Sequence, residues 1–338
     1  MPGGREALAA RLRRQAAWCA RDGSPLYASL LEKAASDLEV EGPVWDVLSV
    51  FQDEPGTAAV ALRFMAAVHR LALDGRLPGL ARHYPSTGGE GDPHNAWPPF
   101  RQALIDLLDE LRALVARPCQ TNEVGRSAAL LGGFLEVAHR TRKPLRILEI
   151  GASAGLNLLW DRYRYESAGG AWGEPGSRVT FAHSFDVPPP LNRPAEVVER
   201  KGCDLHPLDP TSDDGRLTLR SMVWADQLGR LALLEGALDV ARQLPAGVEA
   251  MDAASFLERE LARPVPGVAT VVFHSVFMLY LAEEDRRRID ELIRAAGVFH
   301  LSMEPAETFE VRLDGELLGT SGPHGQHVRW NVDSTPPR

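Results

Sequence analysis

Between Arg5 and Arg140 the apolar residues recur three and four positions apart, as in Leu104, Leu107, Leu108, Leu111, Leu114 and Val115. That is the spacing of one buried helix face, and no run in this stretch alternates as a strand would. The first third is therefore expected to be all helix, beginning with an amphipathic segment in MPGGREALAARLRRQAAWCA. Gly42-Pro43, Glu54-Pro55-Gly56 and Pro78-Gly79 punctuate it into about five or six helices. One irregular piece, Tyr84 to Pro99, is long enough to read either as a lid or as a mobile surface loop. His83 and Tyr84 at its start are candidate substrate-facing residues.

After Lys143-Pro144 the pattern changes to short β-rich runs that alternate with helical ones. The expected strands are Arg146 to Ile150, Glu196 to Lys201, Val248 to Met251, Ala269 to Phe273 and Val298 to Ser302. Helices are expected at Ala154 to Trp160, Leu217 to Gln243 and Glu283 to Ala296. Such alternation predicts an α/β fold with a mostly parallel sheet and right-handed crossovers. FEVRL and ELLGT flank Asp314-Gly315, a two-residue hairpin signal, and Gln326 to Trp330 is a candidate further strand, so an antiparallel edge should close the sheet. The expected division is 1–143, a helical cap, and 144–338, the sheet domain, with a Gly- and Pro-rich insertion at about 163–194.

Composition narrows the functional classes. The 338 residues carry a net charge of -9, with 44% hydrophobic and 25% charged residues, which suits a globular protein and disfavours nucleic acid or anionic membrane as the partner. Cys19, Cys119 and Cys203 lie far apart, so neither a disulfide framework nor a zinc cluster is expected, and a cytoplasmic location fits. Val268 to Ala282 is interrupted by His274 and Ser275 and is too short to span a bilayer, so no membrane segment is expected. His300, His324 and His327 lack a carboxylate or cysteine at ligand spacing, and no metal is expected. The acids-then-arginines run Glu283 to Arg288 suits a helix dipole and needs no partner.

In an open parallel sheet, ligands bind beyond the carboxyl ends of the strands, and the first such end is Gly151 to Gly155 in RILEIGASAG. Glycines there let backbone approach a ligand, the following helix offers N–H groups, and Glu149 adds a carboxylate. LEIGASAGLNL, Leu148 to Leu158, resembles the first motif of the Rossmann-type methyltransferases that use S-adenosylmethionine, departing from it at Ser153, where that family usually has glycine. The resemblance implies a Rossmann-type sheet and a cofactor held by Glu149, Gly151, Ala152, Ser153, Gly155 and Asn157. It further implies Asp204, with Glu199 as a rival, for the ribose hydroxyls, and Asp252 with Ala253 for the adenine. Asp252 reads equally as a helix cap. His274, ending the fourth strand, would face the transferred methyl as a general base, or else be a hydrogen-bonded core histidine.

Over most of its length the chain is also similar to an uncharacterised bacterial family, domain of unknown function 2332, through TNEVGRSAALL, LEIGASAGLNLLWDRYRY, RKGCDLHPLD, VVFHSV and LSMEP. That likeness implies no substrate. Asn122, Glu123 and Arg126, leading into the first strand, and Glu304, after the fifth, are candidate pocket residues.

Two rival chemistries share the same turn. Gly151 to Gly155 satisfies GxSxG, the nucleophile elbow of serine hydrolases, with Ser153 as nucleophile and Asp252 with His274 or His300 as partners. That fold needs strands before the elbow, where the sequence reads as helix. A dinucleotide dehydrogenase would need glycine at Ser153 and Leu156. The expected function is S-adenosylmethionine binding, with methyl transfer to a small molecule or a protein side chain. A non-catalytic binding or scaffold protein of the same fold is the alternative.

Overall fold

The computed structural model describes residues 4–331. They fall into two compact units, one built from 4–121 and 212–232, the other from 122–211 and 233–331. The unit boundaries differ from a single cut at 143: the helix Arg126–Thr141 belongs with the sheet, and 212–232 belong with the helices.

The first unit is helical, as the periodicity predicts. Gly4–Arg21, Pro25–Glu39 and Val60–Leu73 supply its longest helices, and Leu30, Leu31, Phe64, Val68 and Phe100 are fully buried in its core. The apolar run 104–115 breaks at Leu107 into Trp97–Asp106 and Leu108–Val115. One helical window, Gly56–Leu73, is apolar and long enough to cross a membrane by composition, and 61% of it is buried within the protein.

The segment from Tyr84 to Pro99 is tied down inside this unit. Tyr84 is fully buried, its ring 5.6 Å from that of His69. The Pro93 carbonyl accepts from Ser29 Oγ at 3.0 Å and Lys33 Nζ at 3.1 Å, and Ser86 N–H donates to the Ala225 carbonyl at 2.8 Å. Tyr84 is thus a core residue of the helical unit, and His83 is half-buried beside it.

The second unit carries twelve strands. They are β1 (Leu145–Ile150), β2 (Arg164–Ser167), β3 (Gly170–Gly173), β4 (Thr180–Phe181), β5 (Phe185–Val187), β6 (Val197–Asp204), β7 (Gly247–Ala250), β8 (Ala269–Ser275), β9 (Phe299–Pro305), β10 (Phe309–Leu313), β11 (Glu316–Ser321) and β12 (Val328–Trp330). Nine form one sheet in the order β5-β12-β11-β10-β9-β8-β1-β6-β7, and β3-β2-β4 form a small sheet within the 163–194 insertion.

Strands β7, β6, β1, β8 and β9 are parallel neighbours, and β10, β11 and β12 add an antiparallel edge. Asp314 (φ 51) and Gly315 (φ 84) make the expected hairpin turn. From β1 the chain goes outward through β6 and β7, then returns to β8 on the other side of β1. The connections therefore diverge at β1 and β8, the switch point where open sheets bind ligands.

Two expected helices differ. The turn after β1 leads into a 3-10 helix, Leu156–Arg162, and Ser153 (φ 52) and Gly155 (φ 72), at the start of the expected helix, hold left-handed rather than helical backbone. The stretch expected as one helix from Leu217 to Gln243 is two, Asp213–Met222 and Leu228–Gln243. Between them the Asp226 carboxylate receives Ser24 Oγ at 2.6 Å and Leu26 N–H at 3.2 Å, bonds a continuous helix would forgo.

Candidate functional site

Four segments meet at the carboxyl ends of β1, β6 and β8: the loop 122–125 before the helix Arg126–Thr141, the turn 151–157, the residues 275–277, and the loop 322–326. Each is joined to another by hydrogen bonds. Asn122 Oδ1 accepts from Leu156 N–H at 2.8 Å, and Asn157 Nδ2 donates to the Glu123 carbonyl at 3.3 Å. Arg126 donates to the Ser275 carbonyl at 3.2 Å and the Pro323 carbonyl at 3.3 Å. Glu123 Oε2 lies 2.9 Å from His324 Nδ1.

Glu149, on β1, is 2% exposed and its Oε2 has no hydrogen-bond partner. Burial pushes its carboxyl well above the usual range, with the Asp204 carboxylate adding to the shift and the Arg126 guanidinium opposing it. Ser153 is 4% exposed and its Oγ likewise lacks a partner. Two buried polar atoms without partners beside one turn are costly, each worth about 1 to 3 kcal/mol, and such atoms mark a place built for something else.

Asp204, ending β6, shapes the turn. Its Oδ2 accepts the Ser153 N–H at 3.0 Å and its Oδ1 the His206 N–H at 2.9 Å, which fastens the left-handed residue at 153. Glu199, its rival, stands level with Arg146 at the opposite end of β1 and pairs there with Arg146 at 3.1 Å and Lys201 at 3.0 Å, so it is no part of this site. Asp252 caps the helix Ala253–Leu261, its Oδ1 accepting Ser255 N–H at 2.9 Å, which lowers its carboxyl pKa; Ala253 is buried behind it. Asn157 is also committed internally, since its Oδ1 accepts from Ser127 Oγ at 2.7 Å. Ala152 N–H donates to the Cys203 carbonyl at 2.9 Å.

The turn's glycines are closely covered. A Cβ at Gly151 would collide with the Phe277 ring, and one at Gly155 would sit 2.7 Å from Val248 Cγ2.

His274 is 1% exposed and has both ring nitrogens engaged. Its Nδ1 lies 2.8 Å from Glu304 Oε1 and its Nε2 lies 2.9 Å from His300 Nε2. Glu304 Oε1 also accepts the N–H groups of Phe277 at 2.8 Å and Met278 at 3.1 Å. Burial works to raise the Glu304 carboxyl, but these donors outweigh it and hold its pKa down. Burial, aided by the neighbouring His274, pushes His300 down to about 3. His274 is therefore held as the middle of an acid–imidazole–imidazole row rather than presented to a ligand.

Sequence reading singled out Glu304 as a pocket residue and His300 as a partner for Ser153 but missed that both meet His274, and it missed His324 and Phe277 as members of the site. His300 and Glu304 share a strand face by the period of two, together with Ser302, and that signal was available; their meeting with His274 needs the β8–β9 pairing. His324, considered above only as a metal ligand, is 201 positions from Glu123 and carries no local signal. Phe277 lies in an apolar run that marks it only as core.

The nucleophile-elbow reading needs an imidazole on Ser153 Oγ, and that oxygen has no hydrogen-bond partner. No strand precedes β1 among the described residues. Nor do the described residues include a group of three or more His, Cys, Asp or Glu placed to hold a metal ion.

The model of a family described as "uncharacterized protein conserved in bacteria (DUF2332)" matches residues 9–333. Comparison with curated proteins and with solved structures gives no match.

Proposed function

The chain belongs to the uncharacterised bacterial family DUF2332, and we propose that it binds S-adenosylmethionine at the ends of β1, β6 and β8 and transfers the methyl group to a small molecule or a protein side chain. The observation that carries this reading is the buried Glu149 carboxylate whose Oε2 lacks a partner, four residues before Ser153, whose Oγ is equally orphaned. A ligand with an ammonium and hydroxyl groups fits both atoms: the ammonium offers Glu149 a cation, and a hydroxyl can both give to and take from Ser153. The order β7-β6-β1-β8-β9 also follows the doubly wound sequence of nucleotide-binding sheets, with the turn at its switch point.

Within this reading the residues have separate tasks. Glu149 binds and orients the ammonium end. Asp204 holds the turn open by bonding the Ser153 and His206 N–H groups and stands at the end of β6, where a ribose would lie. Phe277 supplies an apolar face over Gly151 and excludes water. Asp252 is a helix cap, and its neighbour Ala253 offers a small surface at the end of β7. When bound, the sulfonium supplies an electrophilic methyl carbon. Holding an acceptor in line with it is worth about 7 to 11 kcal/mol, most of what such a displacement asks of a protein.

Calorimetry with S-adenosylmethionine and with its demethylated product tests the proposal, with Glu149→Gln as the control expected to bind at least tenfold more weakly. If neither ligand binds the wild-type chain, the reading is rejected. Binding of both without label transfer to a cell extract would replace the enzyme by a cofactor-binding scaffold. Covalent capture of a fluorophosphonate at Ser153 would replace it by a hydrolase.

A further inference from the structure

The row Glu304–His274–His300 ends in a cavity that the methyl-transfer reading does not use, and its protons can be placed one by one. Glu304 Oε1 accepts the N–H groups of Phe277 and Met278, so it stands as an acceptor toward His274 as well, 2.8 Å away, and the His274 proton lies on Nδ1. A neutral His274 then has a bare Nε2. The 2.9 Å contact between the two Nε2 atoms needs one proton, which His300 must supply. That leaves the lone pair of His300 on Nδ1, at the free end of the row.

His300 lies near the start of β9, and its backbone is pinned there: its N–H donates to Asp314 Oδ1 at 2.8 Å and its carbonyl accepts the Asp314 N–H at 2.8 Å. Its side chain, 22% exposed, lines a cavity of about 400 Å³ with Asp290, Arg294, Ile293, Phe299 and Asp314. Asp290 Oδ1 stands 4.0 Å from His300 Nδ1, and among the described residues that carboxylate makes no hydrogen bond and no other ion pair, not even with Arg294 one turn along the helix Glu283–Ala296. Two acceptors at that spacing cannot bond each other, but they can share the N–H groups of one ammonium, whose hydrogen bonds are each about 2.9 Å long. Burial first, and the neighbouring His274 second, push the His300 pKa down to about 3, whereas alkylamines stay protonated to about pH 10. Between those limits the ring offers a lone pair and the amine offers protons. The half-buried Val298 and Phe299 give an alkyl chain an apolar wall. A divalent metal would need a third protein ligand, and no group of three is placed for one among the described residues.

We propose that this cavity is a second binding site and that it takes a protonated alkylamine on His300 Nδ1 and the Asp290 carboxylate. His274 and Glu304 are its positioning residues: they touch no ligand and fix which His300 nitrogen is bare. The site is read from the row and its cavity and needs no S-adenosylmethionine. Because Glu304 also holds the N–H groups of Phe277 and Met278, the row ties the amine cavity to the residue whose ring covers Gly151.

Nitrogen-15 NMR of histidine-labelled protein at pH 8 tests both the tautomer and the ligand. Without ligand, His300 is expected to be protonated at Nε2 and bare at Nδ1; a ring protonated at Nδ1 overturns the proposal. n-Butylammonium chloride should then move the Nδ1 signal along a saturable curve, while tetramethylammonium chloride, which has the charge but no N–H, should leave it in place. The Asp290 side chain is 48% exposed, so Asp290→Asn should fold. It should weaken butylammonium binding about fivefold or more, while Arg294→Ala should not weaken it. Equal shifts from the two cations, a shift that never saturates, or an unaltered midpoint in folded Asp290→Asn overturns the site. If Asp290→Asn does not fold, the comparison of the two cations on wild type decides alone. Failure of S-adenosylmethionine to bind shows up separately, in calorimetry, and removes the earlier reading while leaving this one standing.

Discussion

The ring of Phe277 occupies the space that a side chain at Gly151 would need, and the same residue gives its N–H to Glu304. Glycine at 151 therefore serves two demands at once, a left-handed backbone (φ 68) and room for a ring. Gly151→Ala should cost about 1 to 2 kcal/mol for the backbone and about 1 to 3 kcal/mol more for the overlap. Repeating the substitution in a Phe277→Ala background should remove the second part only. Denaturant titrations of the four proteins measure this, and an alanine penalty that ignores Phe277 would contradict the contact.

Glu149 should be a liability to the empty fold. Its carboxyl pKa is raised in the folded state, so between the unfolded value, near 4.3, and that higher value the folded chain binds more protons than the unfolded one. Stability from this group accordingly falls as pH rises through the window. Glu149→Gln should gain on wild type in denaturation midpoint from pH 5 to pH 8. A difference that stays constant with pH would count against a strained carboxylate.

His69 has the opposite consequence at acid pH. Burial, opposed only in part by the Ser221 carbonyl at its Nδ1, pushes its pKa down to about 4. The unfolded chain takes up its proton near 6.5 and the folded chain does not until about 4, so stability is lost as pH falls across that interval. The loss amounts to roughly 3 kcal/mol at most. His69→Gln should flatten that part of a stability profile while being less stable than wild type at pH 7, because Gln fits the Ser86 and Ser221 contacts less well.

Trp160 is fully buried, stacked on Phe134 at 4.4 Å and on Trp172 at 5.1 Å, yet its indole Nε1 has no partner. Trp160→Ala should cost about 3 to 5 kcal/mol. Trp160→Phe should cost far less than its lost volume suggests, under about 1.5 kcal/mol, since it also removes a buried N–H that bonds nothing. Thermal unfolding of the two variants separates packing from the polar term.

Much of the sheet was legible because β1 and β8 are buried strands bounded by Pro, Gly and helix signals, and the Asp314-Gly315 hairpin carries its turn in its own residues. What escaped was whatever depends on partners distant in sequence. Nothing local in Val223 to Gln227 announces a break; Asp226 is drawn out of helix by Ser24 and Leu26, some 200 positions away. The α-helix expected at 154–160 failed for a nearer reason, because Asp204 fastens Ser153 into a left-handed turn and GxSxG looks the same either way. Glu149 could be picked from its motif, but that its carboxylate would be dry and lack a partner at one oxygen follows only from what packs around it.

The pairing of Glu123 with His324 also sets an order of events during synthesis. At about 5 to 20 residues per second, roughly 10 to 40 seconds separate the making of Glu123 from that of His324, which lies 201 positions later. Within that interval β1, β6 and β8 are made, while the loop that locks over the helix Arg126–Thr141 does not yet exist. A nascent chain can thus build the strand that carries Glu149 well before it owns the His324 imidazole that pairs with Glu123, and a chain stopped short of residue 322 would keep the one and never acquire the other.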